Sequence, residues 1–471
     1  MAFLERNANR GSVSTGFNID NSLKLERANS EYLNRTPSSN GNQQIFTFSS
    51  WVKFSYINSQ VSEWSTLFSA GDFAANSPSF RIGHHTNNSL QVSFYTNSQY
   101  TGYYRTDALH RDTAAWYHFV CAVDTTQGTN TNRVKIYVNG VLAPTTVTLS
   151  HVAQNYNSGV NTGIAHRIGH GVNMQTYASE YVAETHFVDG QALAPTEFGE
   201  FDDDSGIWKP KEVDVTYGTN GFYLDYADAS DLGDDESGNG NDWTENNIAA
   251  ADQATDTPTN NFCVMNVNKG ITYYTINGPG TLNRHPIITN GATVIGNNSN
   301  NYVITDATMA MTSGKWYWEI KCTVDANTGV TEAGIASNHD LGFYSDDGVG
   351  NFFYQQDGSR YVNGAGAGYG AAWATNDIMG FAYDADNWTL TCFKNNSSQG
   401  NLLAGTADLS AKAFLFKLAT YGTHTYQMNF GGYHFNTLSS AESDANGYGS
   451  FEYAPPSGYY ALCTKNLAVY G

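Results

Sequence analysis

The chain has 471 residues, 44 acidic against 23 basic side chains, a net charge of −21 and a charged fraction of only 14%. One hydrophobic core seldom grows past about 250–300 residues, so two domains or three are expected, and 40% hydrophobic with 14% aromatic residues fill real cores and exclude wholesale disorder. The negative charge repels phosphate backbones and anionic headgroups, and no Lys/Arg run offsets it, which excludes nucleic acid and membrane surfaces as partners.

Asn, Ser, Thr and 46 Gly replace charge on the surface, a composition that suits turns and strands, so an all-β chain is expected. Residues 1–20 lack periodicity and read as an extended arm or adaptor, without the basic-then-apolar pattern of a signal peptide. Sec export and membrane-spanning segments are therefore not expected. From 21 to 230 short strands follow one another. Phe46, Phe48, Val52 and Phe54 alternate with Thr47, Ser49 and Lys53, while Trp51 falls on the polar face. The run 116–124 is apolar on both faces, and Asn139-Gly140 after 133–138 signals a type I′ hairpin turn. Residues 231–305 loosen into an Asp/Gly/Asn-rich connection with edge strands at 262–265 and 271–276, and the domain boundary is placed there. From 306 to 471 strands resume. Trp316, Trp318, Ile320, Cys322 and Val324 share one face of 314–324, and Tyr317, Glu319, Lys321 and Thr323 the other, so one buried face is expected. Strands at 377–383 and 388–394 follow, the latter ending in the turn pair Asn395-Asn396. Cys121, Cys263, Cys322, Cys392 and Cys463 are far apart without a CxxC pair, and read as small apolar strand residues. The expected architecture is two antiparallel β-sandwich (jelly-roll) domains in tandem.

Tyr32-Leu-Asn-Arg-Thr-Pro37, Thr47-Phe-Ser-Ser-Trp51, Trp116-Tyr-His118, Ile136-Tyr-Val-Asn-Gly140 and Ala183-Glu-Thr-His-Phe-Val-Asp189 make residues 21–230 resemble a concanavalin A-like, laminin G-like sandwich. Gly314-Lys-Trp-Tyr-Trp-Glu319, Gly334-Ile-Ala336, Asn376-Asp-Ile-Met-Gly-Phe-Ala-Tyr-Asp384 and Asn429-Phe-Gly431 make 306–471 resemble a SPRY domain. Together with Ser237-Gly-Asn-Gly-Asn-Asp-Trp243, Asp256-Thr-Pro-Thr-Asn-Asn-Phe262 and Pro456-Ser-Gly-Tyr-Tyr-Ala-Leu-Cys-Thr-Lys-Asn-Leu467, the combination is similar to virion proteins of marine tailed bacteriophages. That resemblance implies a virion location on tail or capsid surface, assembly in the host cytoplasm, and 1–20 as a virion anchor. It also implies other virion subunits as partners and a homo-oligomer, commonly a trimer in such fibres.

Concanavalin-like folds also host glycosidases, whose carboxylates alternate on one strand as ExDxE and sit about 5–9 Å apart. Here Glu180-Tyr-Val-Ala-Glu184 and Glu212-Val-Asp-Val-Thr216 come nearest and lack the third carboxylate. No GxSxG, HExxH or phosphate loop occurs, and His84-His85 reads as loop surface. No catalytic residue, resident metal or cofactor is expected. Calcium is the one cofactor the laminin G-like resemblance admits, and the acidic stretch Asp231 to Asp242, lacking EF-hand spacing, reads first as a turn organised by Asx hydrogen bonds.

Sugar rings stack on Tyr and Trp, which singles out two aromatic clusters as contact surfaces. The first is Tyr95, Tyr100, Tyr103 and Tyr104 around a turn; the second is Tyr344, Phe353, Tyr354, Tyr361 and Trp373 in what read as long Gly-rich loops. The expected function is a non-enzymatic tail-fibre or receptor-binding component recognising a host surface glycan or protein. The alternative is a capsid decoration or tail adaptor with an architectural role. A depolymerase is disfavoured for want of a carboxylate constellation.

Overall fold

The computed structural model describes residues 16–56, 64–73, 77–147, 150–174, 176–267, 287–325, 330–337, 350–404, 413–433, 435 and 438–471, with the side chains of 298–302 left aside. Residues 1–15 of the arm expected over 1–20, and the strand expected at 271–276, lie outside them. The described chain forms two compact all-β units that divide between Thr259 and Asn260. The stretch from 231 to 305 is thereby shared between them. Among the described residues no helix is long and apolar enough to cross a membrane.

The first unit is a sandwich of two antiparallel sheets. One runs Val141–Leu142, Val134–Val138, Tyr117–Asp124, Ile45–Phe54, Glu180–Asp189, Ser22–Leu25, Gln253–Ala254, with Phe222–Leu224 also on Glu180–Asp189. The other runs Thr145–Val147, Gln99–Thr106, Leu90–Thr96, Ser79–His84, Ser65–Ala70, His166–Ile168, Tyr32–Arg35, Thr244–Asn246. Alternation in Ile45–Phe54 sends Phe46, Phe48 and Val52 inward, where Phe48 stacks on Phe68 at 5.1 Å and Phe46 meets Phe80 edge-on at 5.2 Å. Each such ring contributes about 2–3 kcal/mol by leaving water. The strand's other face is covered as well, since residues 193–217 lay Leu193, Phe198, Val213, Val215 and Tyr217 over Val120 and Val188. Asn139 and Gly140 take φ of 48° and 78°, the left-handed pair a type I′ turn requires. His84, expected on a loop surface, ends Ser79–His84 with 3% exposure and stacks on Phe54 at 4.1 Å. Burial there pushes its pKa down to about 3.

The second unit is one continuous sheet folded on itself, antiparallel except where Tyr460–Ala461 pairs parallel to Lys315–Asp325. Leu415–Asn429 pairs with Val294–Asp306 along one edge and divides its other edge between Val330–Ala336 and Lys315–Asp325. Gly422, at φ 93°, sits at that division. Two wings diverge from it, one through Asn351–Gln355, Ser359–Val362 and Ala365–Gly368, the other through Ile378–Asp384, Thr389–Lys394 and Ser397–Asn401. They close face to face, with Trp318 5.5 Å from Phe416 and Tyr383 5.8 Å from Phe414. Strands that switch sheets make such corners in sandwiches. Asn395 and Asn396, at φ 46° and 65°, form the expected turn.

Lys315–Asp325 departs from the one-face expectation in two ways. Tyr317 and Glu319, on its supposedly solvated face, are 2% and 0% exposed because Phe451, Ala461 and Cys463 return over them. A register shift between Cys322 and Val324 turns Val324 outward, to 42% exposure. All five cysteines are buried thiols in no disulfide. A short helix, Thr464–Tyr470, ends the chain.

Candidate functional site

The predicted aromatic residues separate once strand parity is known. Tyr104 points into the first core at 2% exposure, its hydroxyl accepting the Val152 N–H at 2.9 Å. Tyr354 is fully buried in the second core, edge-on to Trp373 at 4.7 Å, and Trp373 donates its indole N–H to the Tyr426 hydroxyl at 3.3 Å. Phe353 is 4% exposed. These four are packing residues, contrary to the expectation of exposed platforms: Phe353 and Tyr354 lie on a strand buried on both faces, Tyr104 at an inward position of Gln99–Thr106, and Trp373 against Tyr354. Tyr361 is half-buried on its strand, and Tyr344 lies outside the described residues.

Tyr95, Tyr100 and Tyr103 do come together, on the outer face of the hairpin formed by Leu90–Thr96 and Gln99–Thr106. Tyr100 lies 4.3 Å from Tyr95 and 4.8 Å edge-on from Tyr103, and Phe73 closes on Tyr95 at 4.7 Å. Only Tyr100 of the trio is partly exposed, while Tyr95 and Tyr103 are 7% and 6% exposed.

Beneath these rings lies Arg81, which sequence reasoning missed. In Ser79–His84, Phe80 and Ile82 face the core, so Arg81 faces out beside the tyrosines. Its guanidinium carbon sits 4.0 Å over the Trp64 ring and 5.5 Å from that of Phe73, and the residue is 1% exposed. One terminal nitrogen reaches the Met174 sulfur at 3.6 Å, the Tyr95 hydroxyl lies close enough to support the charge, and Nη2 has no hydrogen-bond partner. No carboxylate of the described residues stands within ion-pair distance of it. Burial pushes the guanidinium pKa down, opposed by the neighbouring Tyr95, Tyr100 and Tyr103 hydroxyls. An unpaired buried cation costs several kcal/mol, whereas a charge-assisted partner on Nη2 would recover much of that. The guanidinium is thus an enclosed charge with hydrogen-bonding capacity to spare, roofed by aromatic rings.

A second polar cluster lies on the outer face of the opposite sheet, in a narrow cleft lined by Trp51, His118, Glu184, His186, Phe198, Pro210 and Lys211. It is too tight for a water molecule, and His118, His186 and Glu184 are each hydrogen-bonded to neighbouring side chains. His118 Nδ1 accepts the Trp208 indole N–H at 3.1 Å, which leaves Nε2 to donate to Ser49 Oγ at 2.8 Å. Burial pushes its pKa down to about 3, in keeping with a neutral ring. Glu184 accepts the Tyr223 hydroxyl at 2.9 Å and adopts φ 48° at a bulge, where most residues other than glycine are strained. In an unbroken strand Glu180 and Glu184 would share a face. The bulge between Ala183 and His186 puts Glu184 outside with Tyr223, while Glu180 points inward to Ser65 Oγ at 3.4 Å. Burial raises Glu180 to about 8.

The acidic stretch is an ordered turn. Asp235 accepts the backbone N–H of Tyr223, Ser237 and Asn241, and Asp231 that of Gly233. Among the described residues no three His, Cys, Asp or Glu side chains converge as metal ligands.

Residues 27–191 match the laminin G-like family described as the concanavalin A-like lectin/glucanases superfamily. No curated protein matches the chain. Similar solved structures include the SPRY domain of human HERC1, at 15% identity and TM-score 0.27, covering 30% of this chain and 91% of that one. A heptameric SAP-like pentraxin from Limulus polyphemus is similar at 16% identity and TM-score 0.29, covering 37% and 78%. A putative carbohydrate binding protein from Bacteroides ovatus is similar at 15% identity and TM-score 0.33, covering 49% and 59%. The first sandwich thus carries a concanavalin A-like, laminin G-like domain.

Proposed function

We propose that the chain is a non-enzymatic recognition protein of a bacteriophage virion, of the tail-fibre or receptor-binding kind, whose first sandwich holds an acidic group of a host surface glycan. The observation that carries the reading is Arg81: a buried guanidinium with a free Nη2, under a trio of tyrosines, in a chain of net charge −21. Trp64 and Tyr100 are partly exposed, and on this reading they move aside for the sugar, since Nη2 is enclosed beneath them. The family that matches includes lectins and glucanases, and the separation of Glu180 from Glu184 by the sheet favours the lectin side. The virion location and the homo-oligomer rest on the sequence resemblance.

The test is binding of the purified full chain to immobilised uronate-bearing and neutral polysaccharides. The reading expects retention on the acidic polymer alone, weakened by salt and lost in Tyr100→Ala. Equal behaviour on both polymers contradicts it, as does the release of new reducing ends.

A further inference from the structure

Lys24, Glu31 and Asp252 meet where the first strand of the N-terminal sandwich pairs with its last. Ser22 stands opposite Ala254 and Leu23 opposite Gln253, so the next antiparallel step brings Lys24 opposite Asp252. Lys24 Nζ lies 2.6 Å from Asp252 Oδ1 and 3.1 Å from Glu31 Oε2. Lys24, Glu31 and Asp252 are 0%, 1% and 6% exposed. Each carboxylate is fixed from behind. Glu31 Oε2 accepts the Glu26 N–H at 2.7 Å, Glu31 Oε1 accepts Asn29 Nδ2 at 2.7 Å, and Asp252 Oδ2 accepts the Ala249 N–H at 2.8 Å.

Two carboxylates and one ammonium leave a surplus negative charge in a space closed to water. Burial pushes the Glu31 carboxyl up, against the pull of Lys24. These are the parts that amide formation needs: an amine, a carboxyl carbon adjacent to it, and an acid within hydrogen-bond reach of the amine. Fixing all three supplies the effective concentration that free amines and carboxylates lack in water.

We propose that Lys24 and Asp252 condense into an intramolecular amide, with Glu31 as the proton carrier. Glu31 takes a proton from the Lys24 ammonium, and the freed amine attacks Asp252 Cγ. The Ala249 N–H faces the oxygen on which negative charge develops. Glu31 returns its proton to the departing oxygen, which takes the second amine proton and leaves as water. The ammonium and carboxylate thus become one neutral amide plus one water, with no other reactant, and Glu31 ends as it began. The bond ties residue 24 to residue 252, closing nearly the whole sandwich into a loop, and it replaces an ion pair that is costly to bury. The Lys53–Asp256 pair, also buried and 2.6 Å apart, has the Trp116 indole N–H on the second Asp256 oxygen. Nothing in this inference depends on the glycan reading.

Mass spectrometry of the denatured full chain tests it. The wild type is expected to be lighter than its sequence by one water, and proteolysis should yield a branched peptide joining Lys24 to Asp252. Lys24→Arg and Glu31→Gln should both appear at full sequence mass. A wild type at full sequence mass overturns the proposal without recourse to any variant. So does a water lost within linear peptides, as at a cyclised Asp or Asn, or a branched peptide through Lys53 and Asp256. Retention of the branch in Glu31→Gln overturns the role given to Glu31.

Discussion

Replacing Glu332 by Gln should stabilise the second sandwich in alkaline solution and leave it unchanged in mild acid. Glu332 is 1% exposed on Val330–Ala336, and neither carboxyl oxygen has a hydrogen-bond partner. Burial, and less so the nearby Asp357, raises its pKa from 4.5 to about 8. The folded state therefore keeps a proton that the unfolded chain loses above about 4.5, and stability falls as pH rises through the window from 4.5 to about 8. At about 1.4 kcal/mol per pKa unit, the loss between about pH 5 and about pH 9 is about 4 kcal/mol. Glutamine keeps the shape without the titration. Calorimetric unfolding of the full chain should show one transition whose midpoint drops between those pH values in both proteins, because burial also raises Glu319 to about 7, but drops less in Glu332→Gln by the Glu332 share. For a domain of this size 4 kcal/mol corresponds to roughly 8–16 °C. Parallel pH profiles of the two proteins would refute the reasoning.

Arg81→Met should raise the melting temperature of the first sandwich, by about 1–3 kcal/mol in stability, since it removes an unpaired buried charge; a lower melting temperature would mean Arg81 is paired in solution. Asn139→Ala should cost the same sandwich about 1–2 kcal/mol in urea unfolding, because it loses both a residue suited to φ 48° and the acceptor for the His118 N–H at 2.8 Å. Glu319→Ala should cost the second sandwich about 3 kcal/mol and speed hydrogen exchange at residues 452–453, since its carboxylate accepts the Glu452 and Tyr453 N–H groups, both at 2.9 Å. Exchange unchanged at those two amides would show that the terminal segment is held by other contacts.

Period-two alternation made much of the fold legible. It set the inward faces of Ile45–Phe54 and Lys315–Asp325, and the Asn-Gly and Asn-Asn pairs announced their turns from their tolerance of positive φ. What covers an outward face was not legible, because the cover comes from far along the chain: residues 193–217 over Val120, and Phe451 to Cys463 over Tyr317 and Glu319. The aromatic clusters were read by density, but parity decides burial. It sent Tyr104 and Tyr354 into cores and left Tyr95 and Tyr103 outside, while a register shift opposite Phe94/Tyr95 brings Tyr100, of the same parity as Tyr104, out beside them. Arg81 gave no signal, since a lone Arg at an outward strand position looks like an ordinary solvated charge; only the placement of Trp64, Phe73 and the tyrosines around it removes it from water. The bulge that parts Glu180 from Glu184 was equally silent, for no glycine marks it.

The most direct test of the central claim is a calorimetric titration of a uronate oligosaccharide into the wild-type chain and into Arg81→Gln. Losing a charge-assisted contact to a buried guanidinium removes about 2–4 kcal/mol, so the variant should bind at least ~30-fold more weakly, while an uncharged oligosaccharide of the same length binds neither. Equal affinity of the two proteins for the uronate would contradict the account.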